Sequence, residues 1–161
     1  MQPTLESIYR EHRQGLFSVA LSITRSADRA EDAVHDAFAR LCLRDKQPAG
    51  DPVAYAFAAV RNAAIDITRK RGESSTDLMD QTTVIAAETT QASLIASESH
   101  EFIRAAIEAL PLDQREVLVM KLYGGLTFDQ IGQSMGAPLS TVASRYRRAL
   151  DKLKEQLASL V

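Results

Sequence analysis

"LTFDQIGQSMGAPLSTVASRYRRALDKL" occupies residues 126–153. Thr127 with Gln130 three residues later has the spacing of a capping box, in which two side chains reciprocally close a helix start. Phe128, Ile131 and Met135 then recur at helical spacing and supply the buried side of a short helix. Gly136 can adopt the left-handed backbone that ends it, and Pro138 forbids simple continuation. Leu139 or Ser140 opens a second helix with the stripe Val142, Tyr146, Leu150, Leu153 and Leu157. A short helix, a glycine turn and a longer helix make a helix-turn-helix pattern.

The second helix is basic. Residues 140–154 hold five cations against Asp151. If Val142, Tyr146 and Leu150 face the preceding helices, Thr141, Ser144, Arg145 and Arg148 lie on other sides, free to enter a major groove or clamp its backbone. Arginine can grip a guanine edge with two bonds, and serine or threonine can meet bases or phosphates. The competing reading is a bundle helix with a solvated basic exterior. The capped short helix and the glycine turn favour DNA.

Working outward, strand patterns are nearly absent and the 3.6-residue period dominates. A first helix is expected over 4–24, with Leu5, Ile8, Tyr9, His12, Leu16, Val19 and Ile23 on one stripe. A second, over 28–44, aligns Ala30, Val34, Phe38 and Leu41. "KQPAGDP" at 46–52 breaks the pattern, and a third helix over 53–71 turns Val53, Phe57, Val60, Ala64 and Ile67 inward. From Gly72 to Thr90 serine, threonine and acids replace periodicity, which is long for a loop inside one domain and natural between two. Beyond it, Ile95, Phe102, Ile103, Ile107 and Leu110 suggest one helix, and Val117, Leu118 and Leu122 another over 113–123. The expected architecture is all-α: a helical domain over 1–72, a linker over 73–91, and a second helical domain over 92–161 carrying the helix-turn-helix.

The formal net charge of -2 argues against a nucleic-acid binder only until its distribution is counted. Residues 76–103 carry five acids and no base, whereas "RNAAIDITRKR" at 61–71 carries four bases against Asp66. Two cationic patches are thus separated by an acidic spacer, which attracts phosphates locally while the whole stays near neutral. The single cysteine, Cys42, excludes an intrachain disulfide, fits a reducing cytosol, and reads as a packing residue beside Leu41. The N-terminus lacks the form of a secretory signal, and no apolar run approaches a membrane span. A cytoplasmic protein without membrane insertion is expected. His12, His35 and His100 are too scattered to propose a metal site, no phosphate-cradling loop is present, and no nucleophile arrangement can be argued. Neither cofactor nor catalysis is expected.

The segment "ALPLDQREVLVMKLYGGLTFDQIGQSMGAPLSTVASRYRRALDKLKEQL" (109–157) closely resembles region 4 of bacterial sigma-70 family factors. "AEDAVHDAFARL" (30–41) resembles region 2.2, and "DPVAYAFAAVRNAAIDITRKR" (51–71) resembles regions 2.3 and 2.4. Their order and spacing are those of a compact sigma factor of the extracytoplasmic-function (ECF) group. The resemblance implies a protein that binds core RNA polymerase and directs promoter-specific initiation, the first domain recognising and melting the −10 element and the second reading the −35 element. It implies Ser140, Thr141, Ser144, Arg145 and Arg148 as the upstream reader; where the family has "TVKSR" this chain has "TVASR", so Ala143 removes one phosphate contact. It places Tyr55 at the family's common tryptophan position and Asn62 in its "RN" signature, with Arg61, Arg69, Lys70 and Arg71 on the nucleic-acid backbone. For Asn62 and Asp66 a purely structural role, orienting the helix through hydrogen bonds, stands beside this one. The 45–52 loop is a candidate pocket for a captured base.

The resemblance also implies polymerase partners: the beta-prime coiled coil against Asp32, His35, Asp36 and Phe38, and the beta flap against region 4. An anti-sigma factor is a further expected partner. From residues alone, Asp32 and Asp36 are a solvated like-charged pair and Phe38 belongs to the core before any interface. Two alternatives stay open. One is a helix-turn-helix regulator independent of polymerase; the other is a sigma-like decoy that binds an anti-sigma protein without starting transcription.

Overall fold

The computed structural model describes residues 3–44, 50–74 and 101–159, without the side chains of Arg71, Glu73 and Ser74. Residues 45–49 and 75–100, which hold most of the 45–52 loop, nearly all of the expected linker, and Ile95, lie outside the described residues. Among the described residues all regular structure is helical.

Local chemistry sets each boundary. α1, Leu5–Thr24, starts where the Thr4 hydroxyl accepts the Ser7 N–H at 3.1 Å. It stops at Arg25, which takes a left-handed φ of 57° and returns its N–H to the Leu21 carbonyl. α2, Ala27–Cys42, is capped by Ser26, and α3, Pro52–Ser74, opens with proline at its first position and Asp51 accepting from the N–H of Val53 and Ala54. The described part of α4 is 101–108. α5, Leu112–Leu122, follows Pro111; α6, Phe128–Met135, follows Thr127; and α7, Leu139–Ala158, follows Pro138. The Thr127/Gln130 capping box is formed, and Gly136 holds φ 65° after α6.

α1–α3 form one sub-bundle and α4–α7 another, yet the two share a continuous core. Leu16 and Val19 of α1, Val34 of α2 and Phe57 and Val60 of α3 run without a break into Val117, Leu118 and Met120 of α5, Ile131 of α6 and Val142 and Leu153 of α7. Phe57, wholly buried, is the joint: its ring meets His12 edge-on at 5.9 Å and lies against Gly15 and Gly124. Burying such a ring contributes on the order of 2–3 kcal/mol. A Cβ on Gly15 would stand 2.8 Å from the Gly124 Cα, so α1 and the turn after α5 approach backbone to backbone.

α5 is the central helix. Every residue from Gln114 to Met120 is buried, polar ones included, because α1 packs on one side and α6 and α7 on others. Four expectations change in the structure. Leu122, read as inward, is 54% exposed where α5 leaves the core, and Phe102, at 54%, lies on the outside of α4. Leu157, near the end of α7, has passed beyond the last core layer and is exposed. Cys42 is likewise exposed rather than packed: Leu41 takes the inward position, and one further residue turns a helix by about 100°.

Candidate nucleic-acid interface

α7 is anchored by its apolar stripe. Val142, Ala149 and Leu153 are buried, and Tyr146 meets Phe128 of α6 edge-on at 5.3 Å. The Lys121 ammonium of α5 stands 4.9 Å from the centroid of the same Phe128 ring. With that face fixed, Ser140 and Arg148 are exposed and Thr141, Ser144 and Arg145 half-buried. All five residues expected to read DNA therefore sit along one helix, on sides that its apolar stripe leaves exposed or half-buried. Arg147, which the helical-wheel argument passed over, is also exposed beside Arg148. Arg145 is not idle: its Nε lies 3.5 Å from Asp113 Oδ2 in the first turn of α5, a loose pair open to solvent.

On the other sub-bundle, Tyr55 pairs with a residue no sequence argument proposed. The Arg44 guanidinium lies over its ring at 5.4 Å from the centroid and donates a hydrogen bond to its hydroxyl. An aromatic face with an adjacent cation is suited to stacking and holding an unpaired base. Asn62, Arg69 and Lys70 are exposed along α3 and Asp66 is half-buried; the Arg71 side chain lies outside the described residues.

Arg61 is placed differently from the other cations. Its Nε donates to Glu116 Oε2 at 2.8 Å, with the Arg61 side chain 23% exposed and Glu116 1% exposed. Around this pair the sub-bundles are stitched by polar contacts. Gln130 Nε2 donates to Asp51 Oδ2 at 2.8 Å, the Asp51 N–H donates to Gln133 Oε1 at 3.3 Å, and the Ser134 hydroxyl lies 2.9 Å from the Ala54 carbonyl. Farther along, Arg25 Nη2 donates to the Glu108 carbonyl. Burial, then the charge of Arg25, hold the neighbouring Arg115 guanidinium below its ordinary pKa, against the opposite pull of Glu108 and Glu116.

Asp32, His35 and Asp36 form an exposed face on α2, and Phe38 behind them is half-buried, edge-on to Tyr9 at 5.2 Å. Among the described residues no group of side chains has the makings of a metal site, and no helix is long and apolar enough to cross a membrane.

Comparisons with known proteins divide the chain at the same place. Residues 8–74 match the family model for Sigma-70 region 2, and residues 101–153 that for Sigma-70, region 4. The ECF RNA polymerase sigma factor EcfG of Rhodopseudomonas palustris is 31% identical over 144 residues, covering 88% of this chain and 78% of that protein. The ECF RNA polymerase sigma factor SigE of Mycolicibacterium smegmatis is 26% identical over 97% of this chain, which spans 62% of its length. The fold matches that of the sigma factor RpoE from Bartonella quintana, solved with the anti-sigma factor NepR, at a TM-score of 0.74 and 23% identity over 93% of this chain and 94% of that one. CnrH, solved with the cytosolic domain of CnrY, matches at a TM-score of 0.67 and 21% identity over 96% of this chain and 88% of that one.

Proposed function

The chain belongs to the sigma-70 family, in its ECF group, and from that premise we propose that it binds core RNA polymerase and directs initiation at a specific set of promoters. The observation that carries this reading is the presence in one chain of both matched regions, each with its own solvent-facing cations: Arg147 and Arg148 on α7, and Arg69 and Lys70 on α3. A factor that performs no chemistry must supply two things. It must hold polymerase at a sequence, and it must make strand opening favourable.

The residue roles in this reading are those that the family resemblance implies. Ser140, Thr141, Ser144, Arg145 and Arg148 read the −35 element, with the helix-turn-helix domain running over 92–161. Tyr55, Arg61, Asn62, Arg69, Lys70 and Arg71 serve the −10 element from the 1–72 domain, across a 73–91 linker. Unstacking duplex DNA costs on the order of 1 kcal/mol or more per step. An aromatic with an adjacent cation, as Tyr55 has in Arg44, can offset that by stacking a freed base on its other face, while the α3 cations hold the single strand. Asp32, His35, Asp36 and Phe38 offer polymerase an acidic patch with an aromatic at its root, facing the beta-prime coiled coil, and region 4 meets the beta flap. The chain works in the cytoplasm, where polymerase and promoter are, and an anti-sigma factor restrains it, as NepR and CnrY occur with the structural relatives.

Reconstituted transcription with bacterial core polymerase and a promoter library tests the reading. Promoter-selective initiation is the expected outcome. Sequence-specific DNA binding without any dependence on polymerase would instead identify an independent regulator, and a stable anti-sigma complex with no promoter opening would identify a decoy.

A further inference from the structure

We propose that the cleft walled by α1, α4 and α5 binds a small organic phosphate, with its phosphoryl oxygens between Arg25 and Arg115 and its apolar or aromatic body against Leu21, Ile107, Val119 and Tyr123. None of the residues proposed for promoter DNA or for the beta-prime coiled coil belongs to this cleft.

Arg115 lines the cleft and is only 7% exposed, and its Nε and Nη1 have no hydrogen-bond partner among the described residues. Buried polar groups in folded proteins are nearly always bonded, and a buried cation left short of partners is among the costliest exceptions. The charges around it do not resolve the shortage. Burial and the like charge of Arg25 push its pKa down, while Glu108 and Glu116 pull it up. Glu116 Oε2 is committed to Arg61, and Glu116 stands outside the cleft walls. Arg25 gives its Nη2 to the Glu108 main-chain carbonyl at 3.3 Å, a neutral acceptor that does nothing for its charge. Two guanidinium groups that repel one another therefore share a cleft, and an anion between them relieves both.

The charge count selects the kind of anion. Arginine's planar fork takes carboxylate or phosphate oxygens two at a time. A carboxylate brings one negative charge, and a phosphomonoester near neutrality brings about 1.5 to 2. Arg104 lines the same cleft and pairs loosely with Glu101 at 3.5 Å, so the walls set three arginines against the one glutamate, Glu108. That balance suits the dianion. Nothing bonded to Nε or Nη1 resists a turn of the Arg115 guanidinium toward the ligand oxygens.

The rest of the wall argues for an organic body on that phosphate. Leu21, Ile107 and Val119 are buried apolar side chains, and Tyr123 is 39% exposed beside them. A bare ion uses none of this surface, whereas a ring or short chain does, in the usual manner of small-molecule sites that pair apolar walls with a few polar anchors. About 470 Å³ of space, part of it open to solvent, lies between the walls, the scale of one small molecule.

Isothermal titration of the full chain with phenyl phosphate, inorganic phosphate, benzoate and phenol, at fixed ionic strength, tests the site. Phenyl phosphate is expected to bind at least about tenfold more tightly than any of the other three, because it alone supplies both the dianion and the ring. Arg115→Met and Arg25→Asn are each expected to lose at least about tenfold in phenyl phosphate affinity. Asparagine is chosen at position 25 because it accepts the left-handed backbone found there. Tyr123→Ala is expected to narrow the gap between phenyl phosphate and inorganic phosphate. Should Arg115→Met fail to fold by circular dichroism, Arg25→Asn decides alone. No saturable binding of phenyl phosphate, or binding untouched by the arginine substitutions, overturns the site. Inorganic phosphate or phenol binding as tightly as phenyl phosphate overturns the two-part ligand, and benzoate doing so overturns the dianion.

Discussion

Gln130 and Asp51 join two helix starts through one hydrogen bond. Gln130 Oε1 accepts the Thr127 N–H at 2.9 Å, closing the capping box of α6, while its Nε2 donates to Asp51 Oδ2 at 2.8 Å. The other Asp51 oxygen caps α3. A side chain chosen by local helix chemistry thus doubles as a contact between sub-bundles. Gln130→Ala removes both functions and is expected to lower unfolding stability by about 1–2 kcal/mol in a urea titration. Gln130→Glu keeps the cap and sets two carboxylates together. It is expected to separate the sub-bundles while α6 stays intact, and added salt is expected to relieve part of the effect.

Gly15 and Gly124 make the closest backbone approach across the same boundary. Gly15→Ala sets two effects against each other. Alanine in a helix interior gains about 1 kcal/mol over glycine. Its methyl, however, meets the Gly124 Cα at 2.8 Å, where no flexible side-chain end can move aside. Overpacking of that kind costs typically about 1–3 kcal/mol, so the net sign is destabilising. A melting temperature lower than wild type is expected, read by circular dichroism.

Arg115 gives a prediction about pH. Its folded-state pKa is held below the ordinary arginine value, first by burial and then by Arg25. For a base with a depressed folded pKa, the folded chain binds fewer protons than the unfolded one only where the group titrates. Stability linked to Arg115 therefore rises with pH in the strongly alkaline range and is flat around neutrality, where both states carry the charge. Near pH 7 the fold carries a buried cation with two unbonded nitrogens. Arg115→Met is expected to stabilise the folded chain by about 1 kcal/mol, by the same amount at pH 6 and pH 8. Denaturant midpoints at the two pH values check it, and a gain confined to one of them contradicts the account.

The helices and their caps were readable in the sequence because each rests on neighbours: Thr127 with Gln130, Gly136, and the stripe from Val142 to Leu153 are local patterns. The open side of α7 followed by subtraction once that stripe was buried. What local pattern could not show was the pairing of the halves. Glu116 looks like a solvent residue between Arg115 and Val117, and nothing local announces that its buried carboxylate is met by Arg61 from fifty-five positions away. α5, surrounded on several sides, buries polar and apolar residues alike and so carries little periodic signal. Arg44 was missed for a similar reason, since its partner Tyr55 lies across the 45–52 loop. Cys42 was misread because its place beside Leu41 on an apolar pattern was taken for packing, although one residue farther round the helix it already faces solvent.

Substitution of Arg145 tests whether α7 serves DNA reading or polymerase binding. Its pair with Asp113 spans 3.5 Å between groups 28% and 53% exposed, a geometry whose net worth in water is small, about 0–1 kcal/mol. Exchange of Asp113 for a phosphate or a base edge is therefore cheap, and the arginine is available to the −35 element without rearranging α7. Arg145→Ala is expected to weaken promoter binding by holoenzyme by about 1–3 kcal/mol. If Arg145 meets a phosphate, the loss is uniform across promoters and the slope of log affinity against log salt falls by about one; if it meets a base, the loss concentrates on promoters with one base at one upstream position. Affinity for core polymerase is expected to stay at the wild-type value in either case, because the residues proposed for the beta-prime coiled coil, Asp32, His35, Asp36 and Phe38, lie on the other sub-bundle and Arg145 is assigned to DNA rather than to the beta flap. Collapse of core binding with promoter affinity intact would show that this face of α7 meets polymerase, and not DNA.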